Sequence, residues 1–207
     1  MNVSVCIATR GDINMCPIVD SLPKEWEIIV WDNKRGVYVN GKCVQAVPSD
    51  LGAYGRFEGL RRYATNTLCY VQDDDVIVSD PEALTRLWEH LTDKGFPIAV
   101  LVCNMPEEFR SHYPDSAMVG FGACFRRDLP EHAFKRFFDF HHNMSRTDPL
   151  FLRESCRIFT TLTSRTIIDI PKTDLSYASD PNRLWKQPGH ILSRDTALQL
   201  AREVRDA

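Results

Sequence analysis

No apolar run in these 207 residues approaches the roughly 20 residues that a membrane-crossing helix needs, so no helical span is expected. No basic stretch precedes the apolar run that opens at Val3, which argues against a secretory leader and for a cytoplasmic protein. No Cys-x-x-Cys pair occurs. The seven cysteines, at 6, 16, 43, 69, 103, 124 and 156, are odd in number, and several sit inside apolar runs. That pattern predicts reduced, mostly buried thiols instead of a disulfide framework. Charge of one sign is also lacking: 25 basic residues face 28 acidic ones, for a net charge of −3. A general polyanion-binding surface is therefore not indicated, although a local basic groove is compatible with this balance. No internal repeat, low-complexity tract or Ser/Gly-rich linker divides the chain, which predicts one domain.

What is present is a 43% apolar composition, enough to bury a core, and alternation of short β-branched runs with helical spacing. Strands are predicted at 3–9, 27–31, 68–71, 97–103, 117–125 and 166–170, with a weak one inside 36–47. Helices are predicted at 54–65, 82–91, 131–140, 148–157 and 196–204, the second opening at Pro81. Strands and helices alternating in this way predict an α/β sheet covered on both faces.

The most informative local feature is Asp73-Asp74-Asp75, directly after the apolar strand at 68–71 and directly before Val-Ile-Val. In α/β sheets, ligands bind beyond the carboxyl ends of strands, so these side chains are placed at a site. Three adjacent carboxylates repel one another, and a hard divalent cation bridging to substrate phosphates would relieve that. The plain alternative is an Asp-rich surface turn.

Further motifs follow in order, and together they resemble the GT-A glycosyltransferases, most closely the family 2 and exostosin-like branches. Val3 to Arg10 resembles their first nucleotide-binding strand and loop, with Thr9 and Arg10 near the nucleotide. The run ending at Asp32 resembles the second strand, whose acidic end faces the base. The helix at 54–65 resembles the one that carries a base-contacting arginine, here Arg56. Tyr70 to Val76 is similar to their DxD segment. Gly120 and Gly122 lie in what looks like the glycine-bearing strand beside the donor sugar, Asp148 where an acidic catalytic base often stands, and His190 where a late histidine completes the metal site.

The resemblance implies a GT-A-type, Rossmann-like, mixed and mostly parallel sheet, with a nucleotide-binding half at 1–80 and an acceptor and donor-sugar half at 97–195. It implies transfer of a sugar from a nucleoside-diphosphate sugar, with uridine diphosphate preferred, to an acceptor hydroxyl. Asp75, Asp73 and His190 are the expected ligands of Mn²⁺ or Mg²⁺, and Asp74 the residue facing ribose or sugar hydroxyls. Lys186 and Arg183 are expected near the phosphates, and Asp148 as general base. Each has a plainer reading: Asp148 before Pro149 is a helix cap, Asp32 a turn residue, Arg56 a solvated side chain, His190 an exposed loop histidine, and Gly120 and Gly122 a strand bulge. The acceptor is a polysaccharide, a small molecule, a protein or a hydroxylated base of phage-type DNA. For the last, Arg61, Arg62, Arg126, Arg127, Arg136 and Arg153 would supply phosphate contacts. Rival readings are a nucleotidyltransferase, a metal-dependent phosphohydrolase and a non-catalytic nucleotide- or sugar-binding module. The single glycine of Ala8-Thr9-Arg10-Gly11 counts against the first.

Overall fold

The computed structural model describes residues 2–34, 43–46, 50–93, 99–103, 115–168, 172–174 and 187–207. Strand β1 (Val3–Thr9) is buried along its whole length, as a central parallel strand has to be, and its continuous apolar run reflects burial on both faces. It pairs in parallel with β2 (Glu27–Asp32) on one side and β4 (Leu68–Gln72) on the other, and β2 pairs in parallel with β3 (Cys43–Ala46). Beyond β4 the direction reverses. Strand β7 (Ala123–Arg126) runs antiparallel to β4 and to β6 (Ala99–Cys103), and β6 is parallel to β8 (Ser164–Ile168). The seven-stranded order is β3-β2-β1-β4-β7-β6-β8. A small second sheet joins β5 (Val76–Val78) to β9 (Lys172–Asp174).

Alternation along β1 divides the core in two. Val3, Val5 and Ile7 face one layer, which contains Ile18 of α1 (Cys16–Asp20) and Leu84 and Trp88 of α3 (Pro81–Asp93). Cys6 and Ala8 face the other, where α2 (Gly55–Tyr63), α4 (Leu129–Phe140), α5 (Pro149–Leu162) and α6 (His190–Asp206) pack. Phe57, Phe134 and Phe159 meet edge to face in that second layer, with ring centroids 5.3 Å apart for Phe57–Phe134 and Phe57–Phe159. This is the sheet covered on both faces that the alternating pattern predicts.

Two sequence expectations are corrected, and three short elements go unannounced by the sequence. The strand expected at 117–125 is a 3₁₀ turn, Val119–Phe121, followed by Gly122 at φ +110° and only then by β7. Glycines there interrupt the ladder. The last helix starts at His190, well before 196, because Ile191 and Leu192 are 65% and 72% exposed and so break the apolar periodicity that marks a helix. Elements α1, β5 and β9, of five, three and three residues, are too short to leave a periodic signal.

Candidate active site

Parallel strands β1, β2 and β4 present their carboxyl ends at the same edge of the sheet. Thr9 and Asp32 are register partners on β1 and β2, and Ile7 of β1 is level with Gln72 of β4, so Asp73–Asp75 leave the sheet beside the loop after Thr9. Thr9 and Asp32 are each 1% exposed. The Thr9 hydroxyl accepts the Gly11 N–H at 3.2 Å, and the Asp32 carboxylate accepts the Lys34 N–H at 3.0 Å. Gly11 adopts φ +85°, and a Cβ there would stand 2.5 Å from Oδ1 of Asp32. Arg10 pairs with Asp12 at 3.1 Å.

Arg56 is in the first turn of α2 and is buried, contrary to the reading of a solvated helix side chain. Its Nε donates to the Ala53 carbonyl at 3.2 Å, and its Nη2 donates to Oδ1 of Asp73 at 2.6 Å. Burial works against the Arg56 charge, but the neighbouring Cys156 and Asp73 outweigh it and raise the pKa. The Asp73 side chain stays 43% exposed. Its N–H donates to the Gly120 carbonyl at 2.8 Å, and a Cβ on Gly120 would collide with its Oδ2. Gly120 therefore gives space to an aspartate of the triplet, a role that the sequence does not reveal. Asp74 is buried and Asp75 half-buried in the turn between β4 and β5.

The second group of side chains lies on α5 and α6. Asp148 is the N-cap of α5, and its Oδ1 accepts the Leu150 N–H at 2.8 Å, so the capping geometry is present. His190 is the first residue of α6 and not a loop residue. Its side chain is 14% exposed, with Nδ1 3.7 Å from Oε1 of Glu154. Burial lowers the His190 pKa, and Glu154 opposes that only in part. Glu154, which the sequence reading missed, is buried, accepting from Arg157 at 3.0 Å and from the Ser193 hydroxyl at 2.9 Å. No signal short of the fold distinguishes it from an ordinary helix glutamate. Cys156, also on α5, is within electrostatic reach of Arg56 and Asp73 as well as of Glu154 and Arg157. An open cleft of about 440 Å³ is lined by Gln187, Gly189, His190, Ile191, Leu192 and Asp195. Lys186, Arg183, Trp185 and Tyr113 lie outside the described residues.

Among the described residues, no group of three or more His, Cys, Asp or Glu side chains is arranged to hold a metal ion. Mg²⁺ sites, however, are commonly made by one or two carboxylates, with substrate phosphates and waters completing the shell. The aspartate turn fits that description: Arg56 takes one oxygen of Asp73, and the carboxylate remains accessible next to Asp74 and Asp75.

Most arginines considered for nucleic-acid contacts are committed elsewhere. Arg61 and Arg62 grip Glu58 at 2.7 and 2.5 Å, and Arg126 pairs with Asp128 at 2.8 Å. Arg127 and Arg136 donate to the carbonyls of Ala64 and Val204.

No protein-family model and no curated protein sequence matches this chain. Solved structures do. Glucosyl-3-phosphoglycerate synthase from Mycobacterium tuberculosis, crystallised with Mn²⁺, UDP-glucose and phosphoglyceric acid, matches with TM-score 0.53 and 12% identity over 96% of this chain and 80% of that one. The 2-C-methyl-D-erythritol 4-phosphate cytidylyltransferase from Thermus thermophilus matches with TM-score 0.52 and 14% identity, over 95% and 99%. TarS from S. aureus matches with TM-score 0.50 and 15% identity, over 82% of this chain and 35% of that one. The fold is of the GT-A type. It is shared by sugar-transferring and nucleotidyl-transferring proteins alike. The chain spans 58% of the TarS 1–349 chain and about a third of the longer one. Among the described residues, no helix is long and apolar enough to cross a membrane.

Proposed function

We propose that this chain transfers a sugar from a nucleoside-diphosphate sugar, a uridine diphosphate sugar by preference, to an acceptor hydroxyl with the help of Mn²⁺ or Mg²⁺. The observation that carries the reading is the Asp73–Asp75 turn at the carboxyl end of β4, with Arg56 and Gly120 closed around Asp73 and with Thr9 and Asp32 at the same sheet edge. The glucosyl-3-phosphoglycerate synthase, bound to Mn²⁺ and UDP-glucose, supports it through a common fold. When bound, the metal would neutralise the diphosphate leaving group as its bond to the anomeric carbon breaks.

In this reading, Asp75 and the exposed face of Asp73 hold the metal. Arg56 fixes the Asp73 carboxylate by its hydrogen bond, and Asp74 faces ribose or sugar hydroxyls. Asp32, Thr9 and Arg10 line the nucleotide side, and Gly120 and Gly122 shape the floor near the sugar. His190, whose pKa burial lowers, is proposed as a further metal ligand. To act as a ligand it would turn away from Glu154. Lys186 is proposed near the phosphates. Asp148 is the proposed base: one carboxylate oxygen caps α5, and the other would take the proton of the acceptor hydroxyl.

The test is to incubate the protein and Mn²⁺ with UDP-sugars and, separately, with CTP and phosphorylated polyols. Release of UDP from a UDP-sugar supports sugar transfer. Release of pyrophosphate from CTP would replace it with nucleotidyl transfer on the same fold.

A further inference from the structure

We propose that Gln72 is the positioning residue of the aspartate turn, a proposal that rests on the metal-site reading above. Gln72 ends β4 and is fully buried, an expensive place for a carboxamide unless both its ends are satisfied. They are. Its Oε1 accepts the Tyr70 hydroxyl at 2.9 Å, and its Nε2 donates to the Val76 carbonyl at 2.7 Å.

Residues 72 and 76 bracket the three aspartates, so this side chain ties the entry of the turn to its exit. The tie is itself held in place. Tyr70 is buried and packs its ring against Trp26 at 5.9 Å, which fixes the hydroxyl that orients the Gln72 amide. Val76 is the first residue of β5, anchored by its pairing with Asp174 of β9.

The physical need is plain. Three successive carboxylates repel each other, and the repulsion favours opening the turn when no cation is bound. A buried hydrogen-bonded clamp across the turn opposes that opening and keeps the oxygens in the geometry that a cation would meet. Groups one layer behind metal ligands typically set metal affinity by about 10–100-fold. The Gly120 carbonyl on the Asp73 N–H and the Arg56 guanidinium on its carboxylate act on one aspartate from outside. Gln72 acts on all three through the backbone.

The experiment compares wild type, Gln72→Met and Ser4→Ala. Gln72→Met keeps the volume and removes both hydrogen bonds. Ser4→Ala removes a buried hydroxyl, with its bonds to Glu27 and Asn66, at the amino end of β1 away from the turn. Binding of free Mn²⁺ in the presence of UDP is read by its paramagnetic resonance signal, and hydrogen exchange is followed residue by residue on the same samples.

Gln72→Met is expected to weaken Mn²⁺ binding by ~10–100-fold and to speed exchange selectively at residues 73–76. Ser4→Ala is expected to lower the melting temperature without either effect. Unchanged Mn²⁺ affinity in Gln72→Met, or an equal loss in Ser4→Ala, overturns the proposal. If wild type itself binds no Mn²⁺ with UDP, the metal reading fails, and exchange decides the clamp alone. Acceleration confined to 73–76 sustains it, and unchanged or sheet-wide exchange sinks it.

Discussion

The sheet edge that carries the aspartate turn and the α5–α6 pair that carries Asp148, Glu154 and His190 are organised in opposite ways. At the sheet edge, the charged side chains are held in place yet partly open: Asp73 is 43% exposed while Arg56 behind it is 6% exposed. On α5 and α6, the charged groups are spent on one another. Glu154 binds Arg157 and Ser193 and stands beside His190, and Asp148 caps its own helix. The first region leaves a fixed carboxylate open to solvent, and the second uses its charges to hold two helices together.

That contrast can be broken at several points. The largest effect is expected from Asp75→Asn, which should abolish Mn²⁺-dependent UDP binding and turnover while leaving the melting temperature of the free protein nearly unchanged. Asp148→Asn should lower kcat by ~10²-fold with the UDP affinity retained. An equal loss of UDP affinity would remove Asp148 from the role of base. Gly120→Ala should weaken UDP binding by about 10-fold, since the added methyl displaces the Asp73 carboxylate without touching its charge.

Glu154→Ala inverts the pattern. It leaves Arg157 buried without its carboxylate, which costs about 3–5 kcal/mol. The melting temperature should therefore fall by roughly 6–20 °C, while UDP affinity of the folded protein, measured well below the transition, changes little.

The smallest effect concerns Glu58, which the hydrogen bonds of Arg61 hold down to about 2 against the opposing effect of burial, with Arg62 adding to the lowering. A carboxylate lowered on folding adds stability that is complete above its ordinary value of 4.5 and is lost as pH falls toward 2. With solvent screening of the exposed arginines the contribution is below about 3 kcal/mol. Glu58→Gln should flatten acid unfolding between pH 4.5 and 2 and lower stability at pH 7 by up to that same amount.

The same contrast governs what the sequence discloses. Strand ends are legible because a buried parallel strand is a continuous apolar run and its polar stop is abrupt: Thr9, Asp32 and Asp73 each mark one. The 3–9 strand is observed with those bounds, and the helices at 54–65 and 131–140 are found within a few residues. The burial of Arg56 against Asp73 is not legible, because an arginine at a helix start is ordinarily solvated and only the crossing of α2 over the sheet covers it. Gly120 reads as strand because its neighbours are apolar, whereas its carbonyl and missing side chain serve an aspartate 47 positions away. His190 reads as loop because it follows Pro188-Gly189 in a stretch without apolar periodicity, and the Ile191 and Leu192 that open the helix face solvent. Glu154 and Gln72 carry no motif at all, since their partners come together only through tertiary packing.

The most direct measurement is a calorimetric titration of UDP into the wild-type protein with and without Mn²⁺. Binding is expected to strengthen markedly when Mn²⁺ is present and to be lost in Asp75→Asn. Binding of UDP that is indifferent to Mn²⁺, or its full persistence in Asp75→Asn, would contradict the assignment of the aspartate turn as the metal and diphosphate site.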